Sequence, residues 1–268
     1  MTTLKVNSQS PLFPQCLQQR FNASSVSDYT VNVTHSDDLL SQSYGLYDPV
    51  AVRREGQLLL TRAGELAHSM DCNALTALHK RYSDWCKKLR QLKCTQLVHG
   101  RFAPGRGITL CTAAIAADAV ANSWDYAAYY DSVLVHEYAH ALHFAHILAR
   151  FGASSSDVTS TAYQSALRYW YGGRTQALQA RTVKEALAEF ARYLWCCENG
   201  QQTLAQAVTQ ALTGARAHYP SYPYAGVRSL CALHAADAQQ SLERYAALHA
   251  ASLLSWQQAY TLLKQIVC

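Results

Sequence analysis

Charge is scarce in this chain. Asp, Glu, Lys and Arg together make up 15% of its 268 residues, and no block of basic residues exceeds pairs such as Arg53-Arg54 and Lys87-Lys88. A net charge of +5 spread so thinly lacks the basic stripe of a nucleic-acid-binding surface, so no nucleic-acid partner is expected. Long apolar runs are missing too. None approaches the ~20 residues of a membrane span, and the polar stretch Met1 to Pro14, with its prolines, has no apolar heart of a secretory signal. The expectation is a cytoplasmic protein with no membrane partner. No two of the nine cysteines are spaced C-x-x-C, and an odd number scattered from Cys16 to Cys268 fits reduced thiols better than a disulfide framework. Half of the residues are hydrophobic, enough to bury a full core without such staples.

The chain carries no internal repeat. Its first part reads as mixed: residues 29–34 alternate like a strand, 57–61 form an apolar run, and turn residues such as Asp48-Pro49 separate them. A helix is expected over 73–92. Short strands follow at 96–102 and 107–112 around the turn-prone Pro104-Gly105-Arg106-Gly107, the second placed to be an edge strand that pairs with an extended substrate. From Asp131 the pattern turns helical: 131–150 with Gly152 as its stop, then 157–170, 182–195, 203–215 and a long stretch over 225–267.

Inside the first of these helices lies His136-Glu137-Tyr138-Ala139-His140. Residues four apart on a helix lie about 40° apart and roughly one turn up, so two imidazoles can grip one tetrahedral ion. Glu137 then stands beside the metal, placed to take a proton from a metal-bound water and deliver it to a leaving amine. With eleven histidines in the chain, random placement gives on the order of 0.01 such motifs. Phase agrees: relative to His136, His140 and His143 fall at about +40° and −20°, whereas Leu134, Tyr138, Ala141, Leu142, Ala145 and Leu148 gather on the opposite side.

A catalytic zinc takes three protein ligands and leaves one position for water. Glu185 is the choice for the third. It opens Glu185-Ala186-Leu187-Ala188-Glu189, in which two carboxylates share a helix face among small residues; Glu185 would bind the metal and Glu189 would orient a ligand histidine from behind. The rivals are weaker. His146 falls where metzincins, H-E-x-x-H-x-x-G-x-x-H, place a third histidine, but the bend that brings it to the metal needs a glycine where this chain has His143, and both methionines, Met1 and Met70, precede the motif, so no Met-turn can follow it. Cys94 or Cys111 would supply a thiolate, without the glycine-cysteine context of such sites. His143 and His146 are therefore read as packed or cleft-rim residues.

These two blocks resemble a family. His136 to His143 is similar to the metal helix of gluzincin metallopeptidases, among them the thimet-type oligopeptidases and carboxypeptidases with H-E-x-G-H-A-L. Glu185 to Phe190 is similar to their glutamate helix, E-x-x-x-D/E, found also in thermolysin-like enzymes and minigluzincins. The resemblance spans about 35 residues. It implies that His136, His140 and Glu185 bind zinc, that Glu137 is the base and that Glu189 supports a ligand. Ala139 replaces the family's common glycine, Glu189 stands where thermolysin-like enzymes have Asp, and the interval from His140 to Glu185 is longer, so no subfamily is assigned. The oxyanion of the reaction needs a donor across the cleft. His218-Tyr219-Pro220-Ser221-Tyr222-Pro223-Tyr224 is the best supply, and Tyr224-Ala225-Gly226 is similar to the Tyr-x-x-Gly region of the thimet type; Tyr224 is the first candidate, then Tyr222 and His218.

The expectation is thus an α+β, zincin-like fold in one catalytic domain, 1–268. A mixed lobe over 1–150 would hold a small sheet and the metal helix, and a helical lobe over 151–268 would carry Glu185. Its function would be zinc-dependent hydrolysis of a peptide or protein substrate. The alternatives are a zincin-shaped binding or regulatory protein that holds zinc without hydrolysis, and a latent enzyme whose Cys16 or Cys268 thiolate caps the metal.

Overall fold

The computed structural model describes residues 2–21, 29–42, 49–66, 71–93, 98–211 and 226–267. The chain begins with strand β1 (Thr2–Lys5), a helical turn α1 (Gln15–Gln18), strand β2 (Thr30–His35) and a 3-10 segment at Asp37–Gln42. Helices α2 (Pro49–Leu66) and α3 (Cys72–Lys93) precede strands β3 (Gly100–Ala103) and β4 (Gly107–Leu110). The rest is helical: α4 (Thr112–Asn122), α5 (Tyr126–Arg150), α6 (Thr161–Trp170), α7 (Ala177–Glu198), α8 (Gln202–Ala211), α9 (Val227–Ala236), α10 (Ala238–Leu254) and α11 (Trp256–Val267). The protein is α+β, with a small mixed sheet packed against helices. No helix among the described residues is long and apolar enough to cross a membrane.

The sheet runs β1-β2-β4-β3. β1 and β2 are antiparallel, β2 and β4 parallel, and β3 and β4 form a hairpin with Phe102 opposite Ile108. Its turn is the predicted one, with Gly105 and Gly107 at φ of 75° and 89°, conformations that only glycine adopts without cost. The strand expected at the sheet's edge, β4, instead lies inside it. Ile108 and Leu110 are completely buried, so β4 pairs on both sides, while β3 with its exposed Arg101 takes the edge. The apolar run at 57–61 is also not a strand. Among the described side chains of α2, Gly56, Leu59 and Leu66 are buried, a helical spacing, and Leu58 and Leu60 are exposed.

Two compact units divide the chain. One, Ser36–His99 with Cys111–Ala114, contains the α2–α3 pair and a small buried cluster of Leu39, Cys111 and Ala114. The other, Met1–His35, Gly100–Leu110 and Ile115–Cys268, contains the sheet, α5 to α11 and the main core. Within it α5 packs on α7, on α10 and on β3 and β4. α5 starts earlier than its apolar pattern indicates because Asp125 caps it, accepting from the Ala128 N–H at 2.8 Å, and it stops before Gly152 at φ 61°. From Ser132 to Leu148 every residue of α5 is buried. The long helical stretch predicted over 225–267 is cut twice: Asp237 ends α9 and caps α10 through Gln240 N–H, and Ser255, in extended conformation, separates α10 from α11.

Candidate metal centre

α7 packs against α5, and its small residues Ala186, Ala188 and Ala191 are buried with almost no exposed surface. The approach brings Glu185 to the two imidazoles of α5. Glu185 Oε2 lies 3.4 Å from His136 Nε2 and 3.6 Å from His140 Nε2, and the donor atoms of His136, His140 and Glu185 all lie within 4.8 Å of one another. An ion held tetrahedrally at about 2.0–2.2 Å from each donor places its donors about 3.3–3.6 Å apart. The two separations from Glu185 fit that edge length. Two imidazoles and one carboxylate are also a donor set suited to zinc.

Behind the first of these imidazoles stands Glu189. Its Oε2 lies 2.7 Å from His136 Nδ1, a hydrogen-bond length, with the ring N–H angled off the oxygen. Its other oxygen accepts from Arg192 Nη1 at 3.2 Å. Burial opposes a charged imidazole at His136, but Glu185 and Glu189 outweigh it and hold that group up at about 10. The field that favours a proton there equally favours a metal cation. Burial likewise works against the charge on Glu185 and Glu189. His140 and His136 hold the first well below the usual carboxylate range, and Arg192 and His136 hold the second down.

Glu137 is 5% exposed and lies against β3. Cys111 N–H donates to His99 carbonyl at 2.8 Å, and by the alternation of an antiparallel ladder 101↔109 and 103↔107 are also bonded pairs. The main-chain groups of Gly100 and Phe102 therefore point away from β4, to an edge on which no further strand pairs among the described residues. There the Phe102 backbone donates to Glu137. Burial pushes the Glu137 carboxyl up, the neighbouring imidazoles and the Phe102 bond opposing it. A buried carboxyl so raised is suited to exchanging protons near neutrality. A Cβ on Gly100 would stand 2.8 Å from Glu137 Cγ and 2.9 Å from Oε1, so glycine is what leaves the carboxylate its place.

His143 and His146 are packed. Ser252 Oγ lies 2.8 Å from His143 Nε2, and His146 Nδ1 lies 3.1 Å from His249 Nε2; among the described residues the group that converges with His136 and His140 holds Glu185 and not His146. The Cys111 thiol faces Asp37 at 3.9 Å. The Cys16 backbone N–H binds Glu198 at 2.8 Å, and burial with that carboxylate raises its thiol, leaving it a poor thiolate. Cys94, Cys268 and the three candidate oxyanion donors, His218, Tyr222 and Tyr224, lie outside the described residues. Sequence reasoning missed Gly100 and Arg192. Helical spacing offered a signal for Arg192, seven residues beyond Glu185 on the same face; nothing local marks Gly100. Comparison with protein-family models, with curated protein sequences and with solved structures returns no match to this chain.

Proposed function

We propose that this protein is a zinc-dependent peptidase of gluzincin type with a zincin-like fold. The observation that carries the reading is the convergence of His136, His140 and Glu185 on one point, with Glu137 next to it under the edge of β3 that faces away from β4. A structural metal site has no use for a buried base at its side. Bound among these donors, zinc would polarise a peptide carbonyl and acidify water. The chain's own groups do the rest. Glu137, held by Phe102 N–H, would accept the proton of the attacking water and pass it to the departing amine. Glu189, 2.7 Å from His136 Nδ1, would orient the ring so that its other nitrogen could hold the metal. The main chain of Gly100 and the Phe102 carbonyl, turned away from β4, would offer an extended peptide a strand to pair with. His218, Tyr222 and Tyr224 remain the proposed oxyanion donors, with a peptide or protein as substrate and no nucleic acid or membrane partner.

The test combines metal analysis with hydrolysis of a peptide library. About one zinc per chain is expected in the wild type, and a marked loss in Glu185→Ala. Glu137→Gln should keep its zinc and lose hydrolysis by roughly 10²–10⁴-fold. Full hydrolysis by Glu137→Gln would sink the mechanism. Tight zinc without hydrolysis of any peptide would favour a binding or regulatory protein.

A further inference from the structure

We infer that Arg192 is a positioning residue of the metal centre, fixing the ligand His136 through Glu189; this rests on the zinc reading above. Arg192 is only 15% exposed at its side chain, and a buried guanidinium is tolerated when its N–H groups are used. Two of them are used in a directed way. Nη1 donates to Glu189 Oε1 at 3.2 Å, and Nε donates to Ser132 Oγ at 3.3 Å. Ser132 in turn donates to the Tyr129 carbonyl at 2.7 Å, and the Tyr129 ring lies 5.5 Å below the guanidinium.

Ser132 and Tyr129 lie one and two turns before His136 on α5, on the face that carries the histidine. Arg192 therefore ties α7 to α5 just upstream of the ligand. It also spends only one oxygen of Glu189, leaving Oε2 to His136 Nδ1 at 2.7 Å. An ordinary surface ion pair has no such division of labour. A carboxylate held by one fork of a fixed guanidinium cannot rotate away from the imidazole, and the imidazole keeps its other nitrogen at the metal. Lysine, a point charge on a flexible stem, would keep the charge but make one of the two bonds.

The experiment is zinc affinity of the full-length protein, stripped by chelation and titrated against a chromogenic chelator, with thermal unfolding of the metal-free forms alongside. Arg192→Met should weaken zinc by about 10–100-fold, and Arg192→Lys should recover part of that loss. In a Glu189→Gln background the same Arg192→Met change should matter by less than about threefold, because its path to the metal is already cut. A purely structural arginine gives another pattern, lowering the metal-free melting temperature and leaving zinc affinity unchanged; that result overturns the role of Arg192 while the zinc reading stands. A wild type that binds no zinc overturns both. Should Arg192→Met fail to fold, Ser132→Ala, which removes one bond and no charge, decides with Arg192→Lys. Zinc affinity unchanged in both variants overturns the inference, and a several-fold loss in both supports it.

Discussion

At the scale of single residues, the position of Glu137 is set by an absence of side chain. Gly100 does not lie in the left-handed region, so nothing in its backbone demands glycine, yet a Cβ there would press on Glu137 Cγ and Oε1, with Leu110 Cδ2 next at 3.0 Å. Gly100→Ala is therefore an overpacking change, expected to cost about 1–3 kcal/mol of stability and to displace the Glu137 carboxylate. The assignment of the clash to Glu137 is checkable by urea unfolding of four proteins. In a Glu137→Ala background the alanine at 100 should cost almost nothing, since its obstacle is gone. An equal cost in both backgrounds would place the clash on Leu110 instead. Such a contact has no trace in sequence, because 100 and 137 meet only once β3 lies over α5. His136, Glu137, His140, Glu185 and Glu189 were legible for the opposite reason: their relations run along single helices, where spacing is geometry. Arg192 obeys the same spacing, but an arginine three residues from a glutamate ordinarily decorates a surface, and only burial gives it another meaning.

At the scale of elements, α5 departs from its own pattern. A helix with one imidazole face reads as amphipathic, yet here that face is covered, His143 meeting Ser252 and His146 meeting His249 on α10, with Phe21 stacked on His146. Burial pushes His143 and His249 well below the usual histidine range and holds His146 down at about 4. An unfolded histidine takes up its proton near 6.5. Between 6.5 and about 4 the unfolded chain thus binds more protons than the folded one, so stability is whole above that window and falls as pH drops through it. His146 alone contributes on the order of 3 kcal/mol. Urea midpoints taken at about pH 7.5 and pH 5 should show the decline, and His146→Phe should make it shallower. Equal slopes for the two proteins would mean that the cluster does not titrate on unfolding. Elsewhere the sequence named most helices and lost their ends. Asp237 and Ser255 divide what reads as one long helical stretch, by capping and by extended backbone, and α4 is a helix in a segment for which no element is expected, although its alanines favour one. β4 was misplaced as an edge because strand order is a property of partners, which no single strand's alternation records.

At the scale of the molecule, every candidate ligand atom belongs to one of the two units, that of Met1–His35, Gly100–Leu110 and Ile115–Cys268. His140 and Glu185 sit far apart in sequence on the two helices that pack most extensively there, so a metal ion that bridges them binds the folded unit and not the unfolded chain. Linkage then fixes the sign and the size of the effect. Zinc at 100 times its dissociation constant should stabilise the unit by about 2.7 kcal/mol, which for a body of this size raises the melting temperature by roughly 5–10 °C. Glu185→Ala should abolish the rise. Hydrogen exchange locates it: amides of α5 and α7 should gain protection with zinc, while those of α2 and α3, which belong to Ser36–His99, should not. Equal gains in all four helices would mean that the two units open as one cooperative body. No gain in α5 and α7, with zinc bound, would put the ion somewhere other than between these helices.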